Sequence, residues 1–397
     1  MAALALCTLL TTAALVGAVP AAGEPLSPRQ AIERLFLSET PEPEWFAPSF
    51  LAQVPASQVQ LVIAQLAASL GEYQGVEEAD GEYLVHFAAG IVPVHITLDD
   101  AGLIAGLFLR PPIAKSGSLD EAVAAFQQLP GRISLLVVKE SAVLAALNAD
   151  APLAAASAFK LAVLAALKAE IDAGLRSWSD VVTLTDEAKS LPTGVLHTWP
   201  TGSPLTLHTL ATAMISASDN TATDLLIHVI GREKVENFAP RNRPLLTTRE
   251  AFVLKNPEHA ARLAAYRAAE PAARRQLLDE LSQLSLPSPA LLTGDPVALD
   301  IEWYFTAWEL CGLMGYVEEL PLMHVNPGPV RTADWERVAY KGGSEPGVLT
   351  LVSALRDHNG ERYCVAALWN DNQPLDEARF VSLYTGLVSA LAHAPSQ

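Results

Sequence analysis

Apolar positions recur along the chain with two periods, three to four residues in some stretches and two in others. The spacing predicts helix where the first holds and half-buried strand where the second holds. Ser27 caps a helix through Leu37, with Pro28 at its first position, where a missing N–H costs nothing. A second helix runs over 56–70, with Val59, Leu61, Val62, Leu66 and Leu70 as its apolar face. Strands follow at 73–78, 83–88, 92–98 and 103–109, punctuated by Asp80-Gly81, Ala89-Gly90 and Ala101-Gly102 as hairpin turns. Helices followed by a curled antiparallel meander describe a small α+β unit, suited to a cone-shaped fold with a pocket at its open end. His86 and His95 fall on its strands and read as ordinary strand histidines.

Pro111-Pro112 and the Ser116-Gly117-Ser118 stretch break this pattern. Ser118 then caps a helix with Asp120 and Glu121 in its first turn, ended by Gly131. Two strands, 132–139 and 142–147, precede an alanine-rich apolar helix over 156–174. Helices fill the middle: 207–217 capped by Thr206, 221–230 closed by Gly231, a charged helix over 257–284, and an apolar helix over 300–317. Strands return at 335–344, 348–355 and 362–369, with Asp357-His358-Asn359-Gly360 as the hairpin between the last two, and a helix over 375–391 closes the chain. With strands at both ends and helices between, the expected α/β (α+β) architecture is one antiparallel sheet carrying flanking helices and a helical insert. The cleft then lies between sheet and insert.

A length of 397 residues makes two domains the default, and half the residues are hydrophobic, enough for sizeable cores. The expected division is 1–23 as a signal peptide, 24–112 as the small domain and 113–397 as the larger one. Residues 2–22 are apolar with small residues before Gly23, as in a secretory signal, although no basic residue precedes the run. Export to the periplasm or outside the cell is therefore expected. The net charge of −18, with no charged residue in the first 23 positions, argues against nucleic acid and anionic membranes as partners. Beyond the leader, Cys311 and Cys364 leave a disulfide and a pair of buried thiols as open alternatives. No Cys/His cluster has metal-ligand spacing and no glycine-rich phosphate loop occurs, so neither metal nor cofactor is expected.

Three short stretches carry chemistry together. Ser157 and Lys160 lie three apart on one helix face, a nucleophile and the amine that can take its proton. Ser218-Asp219-Asn220 joins two apolar helices; Ser218 can pass a proton and Asn220 can hold a substrate amide, while Asp219 suits a turn-capping role. Lys341, on an edge strand, supplies positive charge for a substrate carboxylate. Gly342 and Gly343 beside it let a substrate lie against the strand. The backbone N–H groups of Ser157 and Ser344 are candidates for an oxyanion hole.

Ser-x-x-Lys, Ser-Asp-Asn and a Lys-x-Gly strand in this order resemble the penicillin-recognising serine hydrolases, in particular class A β-lactamases. The similarity extends along Leu205-Thr206, through 218–226 and Ile230-Gly231, and to Ala333-Asp334-Trp335 ahead of Lys341, covering roughly residues 118–395. The resemblance implies a β-lactamase-like domain and an acyl-serine on Ser157. Two departures stand out. Gly342 replaces the family's usual hydroxyl residue, which removes one contact to a substrate carboxylate. The family's long loop with its deacylating glutamate is nearly absent between Asn237 and Thr247; Glu233, Glu236 and Glu250 remain nearby, and Glu250 reads as a first-turn helix acid. The layout is also similar to the two-domain β-lactamase-like esterase of clavulanic acid biosynthesis, which implies an isomerase-like first domain.

The expected function is an exported serine hydrolase acting on a small-molecule or peptide-like acyl substrate, an ester or a slowly turned-over β-lactam. A non-catalytic ligand-binding module and a cell-wall D,D-peptidase are the competing readings.

Overall fold

The computed structural model describes residues 26–115, 118–281 and 284–393. The expected signal segment lies outside the described residues. The chain separates into two compact units, one ending at Ala88 and adding Val94–Leu109, the other comprising Ala89–Pro93 and everything from Arg110.

In the first unit, α1 (Pro28–Leu37) begins with a reciprocal cap between Ser27 and Gln30. Helix α2 (Ala56–Leu70) follows after two short helical turns at Pro43–Trp45 and Pro48–Leu51, which the residue pattern did not announce. The inner face of α2 differs from expectation. Val59 and Leu70 are buried and Ile63 packs beside them, while Leu61 stands in solvent. Positions 59, 63 and 70 form one stripe at helical spacing, and 61 falls outside it. Strands β1 (Tyr73–Ala79), β2 (Glu82–Phe87), β3 (Gly90–Leu98) and β4 (Ile104–Leu109) pair in that order. His86 meets Glu77 at 3.1 Å and His95 meets Glu82 at 3.5 Å.

The second unit is built on a five-stranded antiparallel sheet. Its members are β5 (Arg132–Lys139), β6 (Ala142–Leu147), β7 (Arg337–Glu345), β8 (Val348–Arg356) and β9 (Arg362–Asn370), in the spatial order β7-β8-β9-β5-β6. Strands from both ends of the chain therefore share one sheet, and β7, bearing Lys341, is an edge. Alternation along the strands sends Leu135, Val137, Leu351 and Val365 to one face and Leu136, Val352, Ala354 and Ala366 to the other. The first face is covered by α3 (Leu119–Gln127) and the closing helix (Glu377–Ala392), through Phe126, Phe380 and Tyr384. The second is covered by the helical insert.

The centre of that insert is α4 (Lys160–Asp172), with every residue from Lys160 to Leu167 buried. A helix that is apolar all round belongs inside a core. The chain enters it through a 3-10 turn, Ala156–Phe159, rather than a continuous α-helix from 156. Around it lie α5 (Leu207–Ser216), α6 (Asn220–Ile230) and α7 (Thr248–Lys255).

Two expected long helices are divided. The 257–284 stretch forms Ala260–Ala268 and Pro271–Leu281, because Pro271 has no N–H to continue the first helix. The 300–317 stretch is helical only from α8 (Ala307–Val317) onward. Thr306 and Glu309 cap its start reciprocally, and Tyr304–Phe305 instead pairs as strand with Leu153–Ala154. Cys311 on α8 and Cys364 on β9 form a disulfide across the helix–sheet interface. No helix among the described residues is long and apolar enough to cross a membrane.

Candidate active site

Ser157 sits in the 3-10 turn that leads into the buried helix. In such a turn side chains three apart nearly eclipse, so Ser157 and Lys160 leave the backbone on the same side. Ala156, just before it, has φ +42°, a left-handed conformation that non-glycine residues rarely adopt. What holds the turn is β7. A Cβ on Gly343 would lie 2.5 Å from both Ala155 O and Ser157 N and 2.7 Å from Ala158 N. Only glycine lets the strand pass this close.

Lys160 is fully buried and turns toward the Ser-Asp-Asn turn. Its Nζ donates to Ser218 O at 2.5 Å, Ser218 Oγ at 3.1 Å and Asn220 Oδ1 at 2.6 Å. Ser218 has φ +55°, which aims its carbonyl inward, where Thr193 Oγ1 also donates to it at 2.5 Å. Asp219 supports this turn as the N-cap of α6, accepting from Ala222 N at 2.9 Å. Its other oxygen takes the N–H groups of Val195 and Leu196 at 2.8 and 2.9 Å. Asn220 Nδ2 donates to Leu191 O at 3.0 Å, which fixes the amide so that its oxygen faces Lys160. Asn220 thus orients the lysine, and only one of its N–H bonds is left for the substrate amide expected from sequence.

From the sheet side, Lys341 Nζ donates to Ser218 Oγ at 3.0 Å and to Gly342 O at 2.5 Å. One hydroxyl therefore receives two lysines from distant parts of the chain. Burial, and then the neighbouring Lys341 cation, press the Lys160 pKa well below its ordinary value, against the pull of Asp224 and Asp219. Burial lowers Lys341 to about 7. Of the three acceptors around Lys160, only Ser218 Oγ also carries a proton. A neutral Lys160 keeps two N–H bonds, to Ser218 O and Asn220 Oδ1, and turns its lone pair toward a hydroxyl. Among the described residues no hydrogen bond joins Ser157 Oγ to Lys160, which bonds instead to the 218–220 turn.

Ser157 opens on a two-part cleft. One part is lined by Ser157, Ser218, Tyr340, Lys341, Gly342 and Ser344. The other is lined by Ser157, Asn220, Phe252, Trp303, Ser344 and Glu345. All eight residues singled out from sequence line one or both parts or bond directly to those that do.

Sequence reasoning missed several neighbours. Glu345 meets Lys255 Nζ at 2.5 Å, and the same ammonium meets the buried Glu302 at 2.5 Å. Burial, with Glu302 beside it, raises the Glu345 pKa well above the carboxylate range. These three residues are far apart in the chain and share no local signal. Thr193 is an ordinary loop threonine until its contact is seen. Tyr340 could have been found, since it stands two residues from Gly342 and so on the same face of its strand. The acids near the shortened loop are occupied elsewhere. Arg232 grips Glu250 through both nitrogens, at 2.9 and 2.6 Å, and Glu250 completes the cap of α7. Arg275 binds Glu233 at 2.8 Å and Glu236 at 2.6 Å. No group of His, Cys, Asp and Glu that could hold a metal occurs among the described residues.

Comparison with known proteins gives the following. Residues 118–290 match the sequence model of the β-lactamase enzyme family. A β-lactamase from Sphaerobacter thermophilus is 22% identical, with 70% of this chain and 98% of that one covered, at a TM-score of 0.49. A structure of PBP-A is 16% identical over 71% of this chain and 98% of its own, also at 0.49. An ancestral class A β-lactamase is 19% identical over 69% of this chain and 100% of its own, at 0.47. No curated protein matches the sequence.

Proposed function

We propose that this class A serine β-lactamase-like protein is an exported serine hydrolase that forms an acyl-serine on Ser157, with esters and slowly released β-lactams as substrates. One observation carries the reading: Lys160 and Lys341 converge on Ser218 Oγ beside the cleft that Ser157 lines.

In the proposed reaction Ser157 Oγ attacks the acyl carbon and its proton passes to neutral Lys160. The Ser157 and Ser344 N–H groups accept the charge that develops on the carbonyl oxygen. Lys160 returns the proton through Ser218 to the departing oxygen or nitrogen. Water then cleaves the acyl-serine, with Lys160 again as base. Glu345 is the carboxyl among the lining residues, and it is already engaged by Lys255 Nζ at 2.5 Å rather than free to position a water. Deacylation without a well-placed carboxylate is slow. That favours substrates whose acylation is easy over efficient β-lactam turnover. Export is supported by the apolar first 22 residues and by a disulfide, a bond that persists in oxidising compartments.

The test is an intact-mass time course with benzylpenicillin and with an activated ester, on the protein and on Ser157→Ala. The reading requires an adduct that depends on Ser157 and ester turnover lost in the variant. Equal ester turnover in both proteins, with no adduct, defeats it.

A further inference from the structure

We propose that the Tyr340 hydroxyl supplies the substrate-carboxylate contact that position 342 cannot make. The proposal rests on the substrate site described above and assigns it a residue outside the three motifs.

The two positions share one volume. A Cβ on Gly342 would lie 2.1 Å from Tyr340 Oη and 2.9 Å from its Cζ. The phenol thus already occupies the space into which a serine or threonine at 342 would project. Glycine at 342 and tyrosine at 340 are a matched pair, on one strand face, two residues apart. The ring is held in place from the other side. A Cβ on Gly328 would lie 2.5 Å from Tyr340 Cδ1 and Cε1, so the Gly328 backbone, at φ +63°, packs flat against the ring.

Packing accounts for the ring and leaves the hydroxyl unexplained. Tyr340 leans on the apolar layer beneath the sheet, where phenylalanine would serve equally. Yet its side chain reaches the cleft that Ser157, Ser218 and Lys341 line. Among the described residues no hydrogen bond engages the hydroxyl, in contrast to the buried Tyr384, which donates to Ser353 Oγ at 2.8 Å. A phenol that reaches a groove and carries an unspent O–H is a donor waiting for an acceptor. Lys341 beside it spends two N–H bonds, on Ser218 Oγ and Gly342 O, and has a third to give. Together they present two donors and a cationic group, which suits an anionic carboxylate. Burial keeps the phenol protonated across the working pH range, so it acts as a donor throughout.

The experiment compares benzylpenicillin with its methyl ester, which lacks the anion. Acylation rates are read by intact mass, and equilibrium binding of the same pair to Ser157→Ala protein is read by calorimetry. Tyr340→Phe is expected to lower the preference for the free acid about 10-fold or more, with the methyl ester nearly unaffected. Gly342→Ser in the Tyr340→Phe background is expected to restore the preference. Gly342→Ser alone is expected to weaken both ligands, because the new side chain meets Tyr340 Oη. If the protein never acylates, the enzyme reading fails, and the binding arm still decides the role of Tyr340. An acid-to-ester preference equal in Tyr340→Phe and its parent overturns the proposal, as does the absence of any preference in the parent.

Discussion

Lys160 and Lys341 meet on one oxygen, Ser218 Oγ, at 3.1 and 3.0 Å, although 181 residues separate them in sequence (341 − 160). One starts the central buried helix and the other lies on the edge strand. Two buried amines sharing an acceptor cannot both remain ammonium ions at little cost. One is therefore available as a neutral base, and that property makes the arrangement a catalytic candidate rather than a surface ion cluster.

The two depressed amines set the pH profile. In the proposed reaction Lys160 must be neutral to take the Ser157 proton, so acylation should rise with pH through its lowered pKa. Lys341 must be charged to hold a carboxylate, so binding of an anionic substrate is lost as pH rises through about 7. An anionic substrate should therefore give a bell-shaped kcat/KM, and a neutral ester a profile without the alkaline fall. A carboxylate bound against Lys341 raises its pKa in the complex, so the fall should move upward in kcat while kcat/KM keeps the free-protein value. The check is kcat/KM against pH for both substrates; an alkaline limb shared by both would show that Lys341 does not read the anion.

Gly343→Ala should cost about 100-fold or more in acylation, because the new methyl group meets the backbone of Ala155, Ser157 and Ala158, none of which can swing aside. The sheet itself keeps its pairing, so far-ultraviolet circular dichroism should change little. Acylation at the parent rate would refute the close strand–turn packing.

Asp219→Ala removes a helix cap and two further accepted N–H bonds from loop residues 195 and 196. A loss of about 2–4 kcal/mol is expected, read from denaturant unfolding. Acylation per folded molecule should also fall, because the same turn aims the Ser218 carbonyl and the Asn220 amide at Lys160.

Glu250→Gln separates structure from chemistry. Arg232 loses a partly buried charged partner and the cap of α7 is weakened, so stability should fall by about 3 kcal/mol. The deacylation rate of the folded fraction should stay as it was. A deacylation rate lowered more than tenfold would make Glu250 a participant.

Reducing the Cys311–Cys364 bond opens a loop spanning 53 residues, and chain entropy sets an upper bound of about 4 kcal/mol for the loss. A melting temperature unchanged by dithiothreitol would show that the bond contributes nothing.

Much of this molecule was legible in residue order. Strands 132–139 and 142–147 and the helix 56–70 carry local periodicity and turn residues at their ends, and the structure places them at those positions. Pairing strands from both ends of the chain into one sheet also followed from pattern. Where the reading slipped, a local signal was outweighed: Pro271 divides one helix, and the Thr306–Glu309 cap starts another seven residues late.

Sequence by itself determined the hydrophobic rhythm, the caps and the three motif stretches, because each depends on residues within a turn or two of one another. Only the tertiary structure decided that Asn220 orients Lys160, that Glu345 and Glu302 share Lys255, and that Tyr340 fills the space beside Gly342. Those relations depend on how a strand edge, a tight turn and a buried helix approach within a few ångströms. Distances between elements come from the packing of the whole core, and no local period encodes them.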